Sequence, residues 1–68
     1  METSARNQLR GTVTAVSVGA VMAEVVVDVN GAQVVAAITK ESVERLGVKA
    51  GSSVVAIIKA TDVMIGVE

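Results

Sequence analysis

The sequence predicts a mainly β fold: five strands rolled into a small barrel, with one short helix between strands three and four. Three observations predict it. Residues 23–30 alternate, with Ala23, Val25, Val27 and Val29 on one side and Glu24, Val26, Asp28 and Asn30 on the other, which is the period of a half-buried strand. Asn30-Gly31 follows at once, and both residue types accept the positive φ that a tight type I′ hairpin turn requires. Thr39 and Gly47 then bracket a short stretch free of glycine, with a side chain that can cap a helix at one end and a residue that tolerates the left-handed conformation at the other.

The elements follow in order. Gly11 to Val18 is rich in Val and Thr, the β-branched types that suit a pleated surface, and Gly19-Ala20 breaks the run. Ala23 to Asn30 is the second strand. Gln33 to Thr39 is the return strand, with Val34, Ala36 and Ile38 facing the core. Lys40 to Leu46 makes about two helical turns, with Val43 and Leu46 three apart on one apolar face. Lys49-Ala50-Gly51-Ser52 reads as a turn. Ser53 to Lys59 is the fourth strand, with Val54, Ala56 and Ile58 opposed to Val55, Ile57 and Lys59. Both its faces are apolar until Lys59, so one is expected against the core and the other against a second subunit. Thr61-Asp62 punctuates, and Val63 to Val67 is the fifth strand. Five strands with a helix between the third and fourth is the order of an OB-like barrel. The structural alternative is a β-sandwich completed only by dimerisation.

Composition narrows the function. The chain has 68 residues, so residues 1–68 make a single domain, and one this small is marginal alone. It has no Cys and no His, which removes disulfides, thiolate sites, the commonest transition-metal ligand and the usual general base. Oligomerisation is the stabilising route left. A hydrophobic content of 51% supports it, because so much apolar surface is hard for a small body to hide. There is no Phe, Tyr or Trp, and six Lys and Arg stand against seven Asp and Glu. Single-stranded nucleic acids are bound on aromatic platforms and duplexes by a basic surface, so no nucleic-acid partner is expected. The polar start Met1-Glu2-Thr3-Ser4 lacks the apolar core of a signal peptide, and no apolar run would span a bilayer. The expected location is the cytoplasm, with no membrane partner.

The inventory also points away from an enzyme. No serine lies in a nucleophile-elbow pattern, and the carboxylates Glu24, Asp28, Glu41, Glu44, Asp62 and Glu68 are scattered. Oxyanion binding fits better. Ser4 and Arg6 precede the first β-rich run, Lys59 closes the fourth strand, and Thr39 and Ser42 flank the helix start. Arg supplies a fixed fork of charged donors and Ser an adaptable one, and a helix start offers free N–H groups. Each residue also has a plainer role. Thr39 can be only a cap, Lys59 a solvated strand end, and Arg6 a surface ion-pair partner. Their conjunction in space is what would make a site, and in an OB-like order the ends of strands three and four are expected on one rim.

Three segments carry a family resemblance. Ser4-Ala5-Arg6-Asn7-Gln8-Leu9 with Gly11-Thr12-Val13, then Ala37-Ile38-Thr39 with Ser42 and Arg45-Leu46-Gly47, then Val54 to Lys59 with Ala60-Thr61-Asp62-Val63, together resemble the molbindin (Mop) family across essentially the whole chain. The resemblance implies an OB-like TOBE/Mop domain that binds molybdate or tungstate, assembled from dimers into a hexamer. It resembles the free-standing members, because the chain carries neither a DNA-binding helix pair nor a Walker motif. It implies a storage or homeostasis role, with no cofactor, no directly ligated metal, and the oxyanion as ligand. Position by position, the implied oxyanion ligands are Ser4, Arg6, Thr39, Ser42 and Lys59, drawn from more than one subunit. Any contact from Ala60 is through its backbone N–H. A second site type, built largely from backbone N–H groups at a subunit interface, is assigned to the Val18-Gly19-Ala20 turn. The alternative function is a structural or interaction module that oligomerises without a physiological ligand.

Overall fold

The computed structural model describes every residue, Met1–Glu68. Four strands form one antiparallel sheet: β1 (Asn7–Val18), β2 (Met22–Val29), β3 (Ala32–Thr39) and β4 (Ser53–Ile58), with a helix α1 (Lys40–Leu46) between β3 and β4. Their spatial order is β3-β2-β1-β4. The first three strands are joined by hairpins and the fourth returns beside the first, which is a Greek-key order. A short 3₁₀ turn, Ala60–Asp62, follows β4.

Local chemistry accounts for the joints. Asn30 and Gly31 have φ of 50° and 88°, as a tight primed hairpin turn demands. Between β1 and β2 the Gly19 N–H donates to the Met22 carbonyl at 2.8 Å. The helix ends on Gly47 at φ 66°, with Gly47 N–H donating to Glu44 O and Val48 N–H to Val43 O, both at 3.2 Å. That is a Schellman motif, and the apolar contact that accompanies it is present, since Val43 and Val48 pack in the same cluster.

β1 serves two partners. Its first half pairs with β4, from Asn7↔Ile58 to Thr12↔Ser53. Its second half pairs with β2, from Thr12↔Asp28 to Val18↔Ala23. The change-over is a bulge between Val13 and Ala15, the device by which a strand bends. Val13 is the pivot: its N–H donates to Ser52 O and its carbonyl accepts from Gly51 N–H, and it is the most deeply buried side chain. Gly11 lies just before the pivot. A Cβ there would meet the Asp28 carbonyl oxygen, Val27 Cγ1 at 2.7 Å and Val29 Cγ2 at 3.0 Å.

Several expectations are corrected. There are four strands, and the sheet is open rather than closed into a barrel. Residues 63–67 form no strand: Val63, Met64, Ile65 and Val67 are 45–97% exposed. A strand needs an edge to pair with, and the 3₁₀ turn, held by Asp62 N–H to Lys59 O and Val63 N–H to Ala60 O, leads the chain off the sheet. That turn also claims Lys59 as its N-cap, so β4 ends one residue early. At the other end β1 begins at Asn7, because pairing with β4 extends the ladder through residues with weak β preference. Finally, Val43 is buried but Leu46 is 65% exposed, so the helix buries one of its two apolar residues.

The core is small. Val13, Ala23, Val25, Val27 and Val43 are the only five buried residues, with Val34, Ala36, Ile38 and Val54 packed against them. The radius of gyration is 12.5 Å, above the roughly 11 Å of a compact domain of this length. A single copy therefore leaves much of its apolar surface in water.

Candidate functional site

The expected donors fall into two groups at opposite ends of the sheet. Ser4 and Arg6 lie on the arm that leads into β1. Asn7 pairs with Ile58, so one residue beyond that pair on each strand stand Arg6 and Lys59. Both are exposed. Ala60 sits at the first position of the 3₁₀ turn, which closes through Asp62 N–H and Val63 N–H, so the Ala60 N–H takes no part in it. Ser4, Arg6, Lys59 and Ala60 thus share one end of the β1/β4 ladder.

Three hydrogen bonds hold that end in shape. Asn7 Nδ2 donates to Ile58 O at 3.1 Å across the ladder. Gln8 Nε2 donates to Ala5 O at 3.0 Å, and Ala5 N–H to Thr3 Oγ1 at 3.2 Å. The amides of Asn7 and Gln8 are spent on holding the segment that carries Arg6. Sequence reasoning missed these two positioning residues. The signal was present, since both lie in the same short motif as Ser4 and Arg6.

Thr39 and Ser42 lie elsewhere. Thr39 pairs with Met22 at the start of β2, level with the far end of β1. Its hydroxyl accepts from Ser42 N–H at 3.0 Å and donates to Ser42 Oγ at 2.7 Å. Thr39 is therefore the N-cap of α1. With its own proton given to Ser42, it leaves the Ser42 hydroxyl proton free to donate outward. Lys40 N–H is taken by Val21 O at 2.8 Å, which ties the helix start to the β1–β2 turn. Val18, Gly19 and Ala20 lie at this same end and are exposed. The Gly19 N–H is already used within the turn.

The expectation that the ends of strands three and four share a rim is corrected by the register. β3 ends beside the start of β2, whereas β4 ends beside the start of β1. The whole length of β1, 12 residues, separates them. At about 3.3 Å per residue, and allowing for the bend at the bulge, the two groups are on the order of 30 Å apart. The molecule's longest dimension is 35 Å. No ion a few ångströms across can touch both groups of one copy.

The chemistry of each end is distinct. The Arg6 end offers a guanidinium, a lysine side chain, a serine hydroxyl and a backbone N–H. Like charges at adjoining strand ends disfavour one another, and an anion bound there would offset that. The Thr39 end offers neutral donors at a helix start. No cluster of acidic side chains suited to a metal ion is present.

The TOBE domain model matches residues 3–65. The chain belongs to the TOBE-domain family. Within this family the likeness is to its small molybdenum-binding members. The chain is 53% identical over 66 residues to molybdenum-pterin-binding protein 3 of Clostridium pasteurianum, covering 96% of this chain and 97% of that one. MopII of the same organism superimposes with a TM-score of 0.91 at 46% identity, over 97% of this chain and 100% of that chain. The cytoplasmic molybdate-binding protein ModG, solved with molybdate bound, superimposes with a TM-score of 0.93 at 45% identity, over 100% of this chain and 49% of its own. This TOBE chain thus corresponds to about half of ModG and to nearly all of the Clostridium proteins. No helix of the chain is long and apolar enough to cross a membrane.

Proposed function

We propose that the chain binds molybdate or tungstate as an intact tetrahedral oxyanion, at sites shared between copies, in a cytoplasmic storage or homeostasis role. The observation that carries the reading is that Arg6 and Lys59 each lie one residue beyond Asn7↔Ile58, the last pair of the β1/β4 ladder, with the other expected donors a strand-length away. A site that uses both groups takes Ser4, Arg6, Lys59 and the Ala60 N–H from one copy, and Ser42 with its cap Thr39 from another. The arrangement is a homo-oligomer, and the hexamer built as a trimer of dimers satisfies it by symmetry, each interface repeating the same pairing of ends. The Val18-Gly19-Ala20 turn is the proposed place of a second site type at a subunit seam, through N–H groups other than that of Gly19.

Arg6 and Lys59 supply charge, since hydrogen bonds from ionised donors are about twice as strong as neutral ones. Ser4, Ser42 and backbone N–H groups set the size of the cavity. Molybdate, tungstate and sulfate carry the same charge, so size is what separates the first two from the smaller third. The bare oxyanion is favoured over a pterin conjugate because the chain has no aromatic side chain on which a fused ring would stack. A ligand that binds only the assembled form stabilises it by mass action.

Calorimetry on the purified oligomer tests the reading. Molybdate and tungstate are expected to bind, with sulfate weaker by at least about tenfold, a difference of about 1.4 kcal/mol. Saturating molybdate is also expected to raise the thermal midpoint. Equal affinity for sulfate, or an unchanged midpoint at saturating molybdate, contradicts it.

A further inference from the structure

We propose that Asn30 is a modification site: its side-chain amide is lost through attack by the Gly31 backbone nitrogen, and the β2–β3 hairpin controls when that happens. The inference is independent of ligand binding.

The turn presents both reacting groups without a partner. Asn30 and Gly31 are exposed. The Asn30 amide enters none of the side-chain hydrogen bonds, and the Gly31 N–H donates none of the turn and loop hydrogen bonds. Gly31 has no side chain to shield its nitrogen, and the space a Cβ would take there is empty to 4 Å. Asn7, the only other asparagine, differs on each count. It is half-buried, its Nδ2 donates to Ile58 O at 3.1 Å, and the residue after it, Gln8, carries a side chain and is paired with Ile57.

The reaction needs only water. The Gly31 nitrogen bonds to Asn30 Cγ, its proton goes to the departing amide, and ammonia leaves a succinimide ring. Water then opens the ring at either carbonyl. One opening gives aspartate. The other gives isoaspartate, whose backbone runs through the former side chain and is longer by a methylene. In sum, amide and water become carboxylate and ammonium, with nothing oxidised or reduced.

The folded turn holds this reaction back. With φ of 50° and 88° at Asn30 and Gly31, the turn is type I′, in which the first central residue has ψ of about +30°. The Gly31 nitrogen then lies on the far side of the Cα–C bond from Asn30 Cβ, and the ring cannot close. Closure requires that bond to swing through most of half a revolution, which breaks the Val29↔Ala32 pair. β3 has β2 as its sole strand partner, so the hairpin opens by breaking one ladder. An exposed hairpin tip of this kind belongs to the low end of local stability. Aspartate accepts the same primed turn. Isoaspartate does not, because its added methylene lengthens the turn, so a chain that opens and takes this course does not regain the original hairpin.

The test ages the full chain at mildly alkaline pH below its thermal midpoint, beside the same chain unfolded in guanidinium chloride. Cleavage after Lys and Arg releases residues 11–40, which hold Asn30 and no other asparagine, and fragment mass spectrometry locates the lost amide. Asn30 is expected to convert in both samples, about 10- to 100-fold more slowly in the folded chain, while the folded chain keeps Asn7 intact. Asn30→Gly, which suits the same turn, is expected to fold and to leave that peptide unchanged. The isoaspartate form is expected to melt below Asn30→Asp. Equal rates in the two samples overturn the proposal, as does an unmodified Asn30 in the folded chain after about a hundred half-times of the unfolded one. Amide loss at Asn7 ahead of Asn30 in the folded chain, amide loss from the same peptide of Asn30→Gly at the parent's rate, or an isoaspartate form as stable as Asn30→Asp also counts against it.

Discussion

Arg6→Ala is expected to weaken molybdate binding by about 10- to 100-fold, because a hydrogen bond to a charged group contributes roughly 1.5–3 kcal/mol. The loss should appear in binding and not in folding. Arg6 is exposed and precedes β1, and the end of the ladder is held by Asn7 and Gln8 rather than by Arg6. Without ligand the variant should melt at or slightly above the parent's midpoint, since removing one of two neighbouring cations relieves repulsion. With saturating molybdate the parent should gain and the variant should gain less. Calorimetry and paired melting curves check both statements. An Arg6→Ala protein that binds as tightly as its parent removes Arg6 from the site.

Gly11→Ala is the substitution expected to harm the fold most. The added Cβ meets the backbone carbonyl of Asp28, which cannot swing aside as a side-chain tip can, and the methyls of Val27 and Val29. Overpacking a well-filled interior costs about 1–3 kcal/mol. A backbone obstacle two residues from the pivot Val13 places this case at or beyond the upper end. In a domain this small each kcal/mol moves the midpoint by roughly 4–8 °C, so a fall of more than about 10 °C is expected. Thermal melting by circular dichroism reads it directly. A fall of only a degree or two would mean that β1 and β2 part more easily than their register implies.

Much of the fold was legible where the signal was local. The alternation of residues 23–30 put Ala23, Val25, Val27 and Val29 on one side; the first three are buried and Val29 is half-buried against them. Asn30-Gly31 announced its hairpin, and Thr39 and Gly47 bounded the helix in its observed place. What sequence could not carry was pairing. The period of Val63–Val67 says that it can be a strand, but a strand also needs an edge within reach, and the 3₁₀ turn leads the segment off its own sheet. Gly11 reads as a boundary in sequence and is interior in the structure, because only the approach of β2 shows why it must be small. The shared rim failed for the same reason: which strand ends are neighbours depends on β1 pairing with both β2 and β4, a long-range fact. The candidate residues were legible as types, since Ser, Arg and Lys are what an oxyanion needs. Their division between two ends of the sheet was not, and that division is the reason the site is assigned to two copies.

Subunit mixing tests that assignment most directly. Arg6→Ala and Ser42→Ala each damage a different half of the site. Each variant alone is expected to bind molybdate weakly. After joint unfolding and refolding in equal amounts, random assembly pairs an intact Arg6 end with an intact Ser42 end in roughly a quarter of the sites, if each site joins two copies. Recovery of about that fraction of the parent's tight binding is expected by calorimetry. No recovery in a mixture shown to have exchanged subunits would place the site within one chain and contradict the account.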